Sequence, residues 1–339
     1  MFALCKIRLM TAAIVFCAVS AAARAQDVAA DPVKLNTTIQ RGLGFLVKDA
    51  LAWKAEHNCV SCHHAGLVIW ALHEAKGVGQ QVDEPVLAEL TKWVAESGSG
   101  VTGVPRPKDR PKALNAKPIW LGLGLEADPK PDEVSRKGLN LMWNTIKSDQ
   151  VENGSWVAWP ETRPPFFGGS DDSMTALATL AILPAAASGD PEAVAVRDKG
   201  MKWLIDTKTD DDPQSVAIRL VLWKRLNRPD AECEPLVERF KTRQNADGGW
   251  SQAPDMASDP WATGQALYAL AHAGLKPDDP TLLRAQTFLI RTQQEDGSWP
   301  MTSRPTKPGG KGSTSLIPIT GGGAAWGVLG LVRSSAPAK

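Results

Sequence analysis

The run His57-Asn-Cys59-Val-Ser-Cys62-His63-His64 is where residue types and spacing most directly offer chemistry. A Cys-x-x-Cys-His pattern reads as a c-type haem attachment site. On one helical turn, positions i, i+3 and i+4 share a face. Two thiols there can form thioethers with the haem vinyl groups while His63 ligates the iron from the same side. Cys59, Cys62 and His63 are then the cofactor-binding residues, and the protein has a redox or ligand-binding role. Zinc is the alternative, with His63 and His64 among its ligands, although a closed structural site needs four. A Cys59–Cys62 disulfide, or two unmodified thiols, also satisfies the spacing. His64 follows His63 by about 100° on a helix and is expected to point away from an iron on His63. No second axial ligand stands out. Met174, Met256 and Met301 read as core filler, His73 and His272 as structural, and His57 as a residue that could line the site.

A second candidate is the pair Asp171 and Asp172 in Gly169-Ser170-Asp171-Asp172-Ser173. The pair opens an apolar helical run. Each is therefore either a catalytic carboxylate or an N-cap and helix-dipole partner.

The first 25 residues bear on which chemistry is available. Lys6 and Arg8 precede an apolar run from Leu9 to Ala23, and Ala23-Arg24-Ala25 is a small-residue cleavage pattern. This reads as a secretory signal peptide cut before Gln26. Export to the periplasm or beyond is the route that haem c attachment requires, and it also permits disulfides. No segment is long and apolar enough for a transmembrane helix. Without Lys6, Arg8 and Arg24 the formal charge goes from +1 to −2. That balance gives no reason to expect nucleic acid or an anionic membrane as partner; the partner is a small molecule or a redox protein.

The elements that position these residues follow from an internal repeat. Gln150-Val-Glu-Asn-Gly-Ser-Trp156, Gln244-Asn-Ala-Asp-Gly-Gly-Trp250 and Gln293-Gln-Glu-Asp-Gly-Ser-Trp299 are three copies of one phrase. Each follows a helical pattern, and Asn/Asp-Gly is a turn signal. The unit is a helix, a tight turn carrying a Trp, and a second helix. Second helices are anchored by Trp70, Trp120, Thr179, Trp223, Tyr268 and Trp326, each in an almost charge-free run, as expected of helices buried all round. First helices are expected over residues 39–51, 86–96, 135–147, 193–207, 234–243 and 281–292. The turns before second helices are long at 98–117, 160–170 and 300–323, and should gather at the end that carries Cys59 and Cys62. Six hairpins give an all-α fold, a closed (α/α)6 toroid over residues 37–333, between a linker at 26–36 and a tail at 334–339.

The Gln-x-x-Asp-Gly-x-Trp phrase resembles the QW motif of squalene–hopene cyclases and the related prenyltransferase repeats. That resemblance implies a terpenoid cyclase-like toroid in which the Gln and Trp brace neighbouring units. It also implies an alternative function, an enzyme acting on an isoprenoid or glycan in the central cavity. The chain departs from the family chemistry, however. Cyclases of this kind use Asp-x-Asp-Asp, and here the first Asp is missing before Asp171 and Asp172. The zinc prenyltransferases need an Asp-x-Cys pair, which Glu232-Cys233 does not supply. A metal- or disulfide-stabilised binding scaffold is the remaining class.

Overall fold

The computed structural model describes residues 31–57, 59–97, 108, 113–159, 164–165, 169–306 and 310–335. The expected signal peptide, Asn58, most of the expected 98–117 and 160–170 turns, and the last four residues lie outside the described residues.

Twelve α-helices and one π-helical turn are found among the described residues. The first helices of the hairpins are α1 (Pro32–Glu56), α3 (Glu84–Glu96), α5 (Glu133–Ser148), α7 (Pro191–Asp206), α9 (Asp230–Arg243) and α11 (Pro280–Thr292). The second helices are α2 (Leu67–Gly77, entered through the π turn Cys62–Gly66), α4 (Lys117–Glu126), α6 (Asp171–Ala187), α8 (Pro213–Arg225), α10 (Pro260–His272) and α12 (Ile317–Ser335). Five of these helices begin with Asp-Pro, at Asp31, Asp190, Asp212, Asp259 and Asp279. Proline disfavours helical backbone at the residue before it, which suits an N-cap, and its own missing N–H costs nothing in the first turn. Each of those Asp carboxylates accepts a first-turn N–H.

The second helices pack in a ring, α2 on α4, α4 on α6, α6 on α8, α8 on α10, α10 on α12, and α12 back on α2. The first helices lie outside it. The toroid is therefore closed, and α12 also packs against α1 at the seam. Trp70, Trp120, Thr179, Trp223, Tyr268 and Trp326 all fall on inner helices. Close approach at two places in the ring depends on glycine. A Cβ on Gly264 would sit 2.2 Å from the Trp326 carbonyl oxygen, and one on Gly124 would sit 2.3 Å from that of Gly66.

The repeated phrase is a brace. Nε2 of Gln150, Gln244 and Gln293 donates to the carbonyl of the Gly in its own turn (2.9, 2.8 and 3.1 Å). It also donates to the next outer helix, at Val196 in α7, Thr281 in α11 and Thr38 in α1 (2.8, 2.9 and 2.9 Å). Each Trp indole N–H returns to the carbonyl ten residues before it, at Ile146, Phe240 and Leu289. The motif glycines Gly154, Gly248 and Gly297 take φ of 94°, 93° and 91°, a region only glycine enters freely.

Most helix ends fall within a few residues of those the sequence suggested, and three boundaries of the toroid shift in an informative way. Helix α1 starts at Pro32, inside the expected linker, because Asp31 caps it. Residues 317–323, expected in the last long turn, open α12 instead. Gly321 and Gly323 are buried there, letting α12 press on Asp49, His63 and Met301. At the other end α12 runs on to Ser335, into the expected tail.

Candidate functional site

The ends of the six inner helices define two poles. The N-terminal pole gathers Cys62, Lys117, Asp171, Pro213, Pro260 and Ile317, the first residues of the π turn or inner helices. The loops before α4 and α6 meet there, with the Leu114 N–H donating to the Val157 carbonyl at 2.9 Å. The described remnants of the three long turns all lead into this pole.

At the pole, the Cys/His run is compact and closed. Ser61 caps the π turn by accepting the His64 N–H at 3.0 Å. Such turns are rare and often mark functional positions. Here the two imidazoles are brought together: Nδ1 of His63 meets Nδ1 of His64, and the Ser61 hydroxyl stands 3.3 and 3.5 Å from them. His64 thus does not point away from His63, as a regular helix would require. Its Nε2 lies 3.0 Å from a carboxylate oxygen of Asp49 on α1. Trp53, also on α1, is sandwiched between His57 (centroids 3.8 Å apart) and His64 (4.3 Å), and its indole N–H donates to the Cys59 carbonyl at 2.9 Å.

This arrangement bears on each cofactor reading. Cys59, Cys62 and Cys233 are free thiols. Cys59 is exposed, but Cys62 and His63 are each only 3% exposed, and burial pushes the Cys62 thiol up to about 12. For zinc, no group of three or more His, Cys, Asp or Glu side chains is gathered among the described residues.

Each carboxylate of the pair meets scaffold groups, Asp171 exposed and Asp172 buried. Asp171 accepts the Ala158 N–H at 2.8 Å. Asp172 forms a buried ion pair with Arg219 of α8, the two side chains 3% and 4% exposed. Its other oxygen accepts the Asp210 N–H at 2.9 Å. Burial raises its pKa, and Arg219 opposes the shift. The N-cap of α6 is Ser170, so neither Asp caps. Of the methionines, Met174 and Met301 are core residues; Met256 lies in the turn before α10.

Two features here were not picked out from the sequence. Asp259 is buried, accepting the Ala262 N–H (3.0 Å) and the Gln252 side-chain amide (3.1 Å). Burial lifts its pKa to about 6. Just inside it, Trp261 joins Trp70, Trp120, Tyr268 and Trp326 in an aromatic cluster drawn from α2, α4, α10 and α12. Ring centroids are 5.3 to 6.5 Å apart and mostly edge-on. All five are at most 1% exposed, so the middle of the ring is filled at their level. The Trp261 indole N–H donates to Gln214 of α8 at 3.2 Å.

Comparison with known proteins agrees with this architecture. Residues 202–293 match the family model of the squalene–hopene cyclase N-terminal domain. A drimenyl diphosphate synthase from Streptantibioticus cattleyicolor is 44% identical over 66 residues, which take in 20% of this chain and 12% of that enzyme's length. The type II terpene cyclase MstE from Scytonema superposes with a TM-score of 0.57 at 13% identity, over 89% of this chain and 99% of that one. A variant of it bound to geranylgeranyl dihydroxybenzoate gives a TM-score of 0.57 at 11% identity, covering 89% and 98%. A protein from Actinoplanes gives 0.55 at 14% identity, covering 89% and 100%. The chain has the all-helical fold of these terpene cyclases, and the likeness to the squalene–hopene cyclase superfamily seen in the QW phrases stands.

Proposed function

We propose that this terpene cyclase-like toroid binds an isoprenoid-class molecule at the N-terminal pole of its inner ring, against the Trp261–Trp120–Trp326 wall. The observation that carries the reading is the aromatic cluster. Its rings offer a large apolar contact area with π faces, and they come from four inner helices rather than from a surface patch. Two of the similar proteins carry isoprenoid chemistry in their names, which supports the choice of ligand class. Proton-initiated cyclisation through Asp171 or Asp172 is not part of the proposal, since one accepts a backbone N–H and the other is ion-paired with Arg219.

Because the cluster is closed, a ligand must part the rings, so binding should be slow and should change tryptophan emission. Titration with geranylgeraniol is expected to give saturable quenching that Trp261→Ala weakens at least several-fold. No saturable change in the wild type, up to the solubility limit of the alcohol, would sink the proposal.

The second reading is covalent haem at Cys59 and Cys62 with His63 on the iron. The motif supports it, together with the proposed export of a chain beginning at Gln26. The closed turn weighs against it, because Cys62 and His63 would have to receive the haem before the turn packs. Protein made in the periplasm alongside haem-attachment machinery decides. Added haem mass and a Soret band, both lost in Cys62→Ala, establish this reading, and their absence in wild type removes it. N-terminal sequencing of that sample tests cleavage before Gln26.

A further inference from the structure

The opposite pole of the ring carries a second cluster of ionisable groups. Five inner helices contribute to it: Glu74 from α2, Glu126 from α4, Arg225 from α8, Tyr268 and His272 from α10, and Arg333 from α12. Both acids already have partners. The Tyr268 hydroxyl donates to Glu74 at 2.7 Å, and Arg225 pairs with Glu126 at 2.7 Å. Arg333, in the last turn of α12, has neither an ion pair nor a hydrogen bond among the described residues, although it is partly buried. His272 packs its ring on Tyr268, with centroids 4.5 Å apart. Its Nε2 is closed to solvent and has no hydrogen-bond partner among the described residues.

An imidazole nitrogen shut off from water is costly unless something satisfies it, and the Arg333 guanidinium, which still reaches solvent, stands near enough to act on this one. Burial, with Arg333 and Arg225 nearby, lowers the His272 pKa to about 3, so the ring is a neutral donor or acceptor at physiological pH. The charges acting on it are positive. A Glu126 oxygen also lacks a hydrogen-bond partner, but that carboxylate is held by Arg225 on the α4 side.

We propose that the C-terminal pole of the inner ring binds a small oxyanion, a phosphate or carboxylate group, between the Arg333 guanidinium and His272 Nε2. The anion accepts from the guanidinium fork, a geometry that suits planar or tetrahedral oxyanions, and from the imidazole in its Nε2–H tautomer. This proposal is independent of any ligand at the other pole.

The probe is sodium phosphate, compared with sodium chloride at equal ionic strength and pH 7, read as thermal midpoint against concentration. A ligand that binds only the folded state raises the midpoint in a saturable way. The wild type is expected to show that rise, Arg333→Gln to lose it, and Lys202→Gln on the outer surface to keep it. Acetate and methyl phosphate arms separate a carboxylate from a phosphate site, and a free ion from a group carrying a tail. In case Arg333→Gln does not fold, the wild-type His272 ring resonances give a second readout, since phosphate should move them saturably. Failure of the wild type to exceed chloride, an undiminished rise in Arg333→Gln, or unmoved His272 resonances at saturating phosphate overturns the proposal.

Discussion

The Asp172–Arg219 pair offers the sharpest separation of a structural carboxylate from a catalytic one. Both side chains are almost fully buried, and among the described residues Arg219 is otherwise held by the carbonyls of Leu204 and Thr207 and by the face of the Trp223 ring. Asp172→Ala strands that guanidinium and removes the acceptor of the Asp210 N–H. Removing one partner of a buried ion pair costs about 3–5 kcal/mol. At roughly 2–4 °C per kcal/mol for a large domain, the midpoint should fall on the order of 10 °C. Asp172→Asn keeps an acceptor and should fall less. The double variant Asp172→Leu with Arg219→Met should recover most of the loss, because an apolar pair of similar volume avoids the desolvation cost. The assay is urea unfolding of each single variant, the double variant and the wild type, followed by helical circular dichroism. A loss below about 1 kcal/mol in Asp172→Ala, or a double variant no better than the worse single one, would refute the reasoning and return Asp172 to the list of groups free to act on a ligand.

Three further outcomes follow from the geometry. Asp259, with its folded pKa raised from 3.8 to about 6, should contribute stability in full below pH 3.8 and lose it as pH rises through about 6. Two pKa units correspond to on the order of 3 kcal/mol, so denaturant midpoints of the wild type should fall over that window and those of Asp259→Asn should be flatter. Gly264→Ala would drive a Cβ into the Trp326 backbone and should cost about 1–3 kcal/mol or more. Gly44→Ala, on the open face of α1 with nothing within 4 Å, should gain up to about 1 kcal/mol from helix propensity; equal effects at the two sites in urea unfolding would contradict the packing described. Gln293→Ala removes both donated bonds of its brace and should cost about 1–3 kcal/mol, measured in the same way.

The repeat phrase made the fold legible because Asp-Gly turns and buried tryptophans are local signals. Helix positions followed from them to within a few residues, except at α1 and α12. There the Asp31-Pro32 start was overlooked, and a glycine run that reads as a turn turned out to be helix packed against its neighbours. The candidate site was less legible. Spacing on an ideal helix separated His63 from His64, whereas the π turn joins them, and the wider turn leaves no mark in the sequence. Asp49, Trp53 and Arg219 lie on other helices, and nothing local to them announces that they reach His64, His57 or Asp172. Trp261 was hidden for another reason: it stands two turns before Tyr268, the anchor position that the repeat made visible.

Closure of the ring has a consequence for how the chain reaches its native state. The Gln293–Thr38 brace and the contact of α12 with α1 and α2 join segments more than 200 residues apart. In an open array the terminal repeats can fray independently; here both ends meet, and no hairpin is a cap. Ring-closing contacts of such long sequence separation predict a slow closing step in folding. Until α12 arrives, the apolar sides of α2 and α10 have no cover and are open to aggregation. The same proximity of the ends makes the toroid a candidate for circular permutation. A short linker from Ser335 to Asp31, with new termini at the exposed turn around Asn227, would keep every helix–helix contact while moving the seam to the gap between α8 and α9.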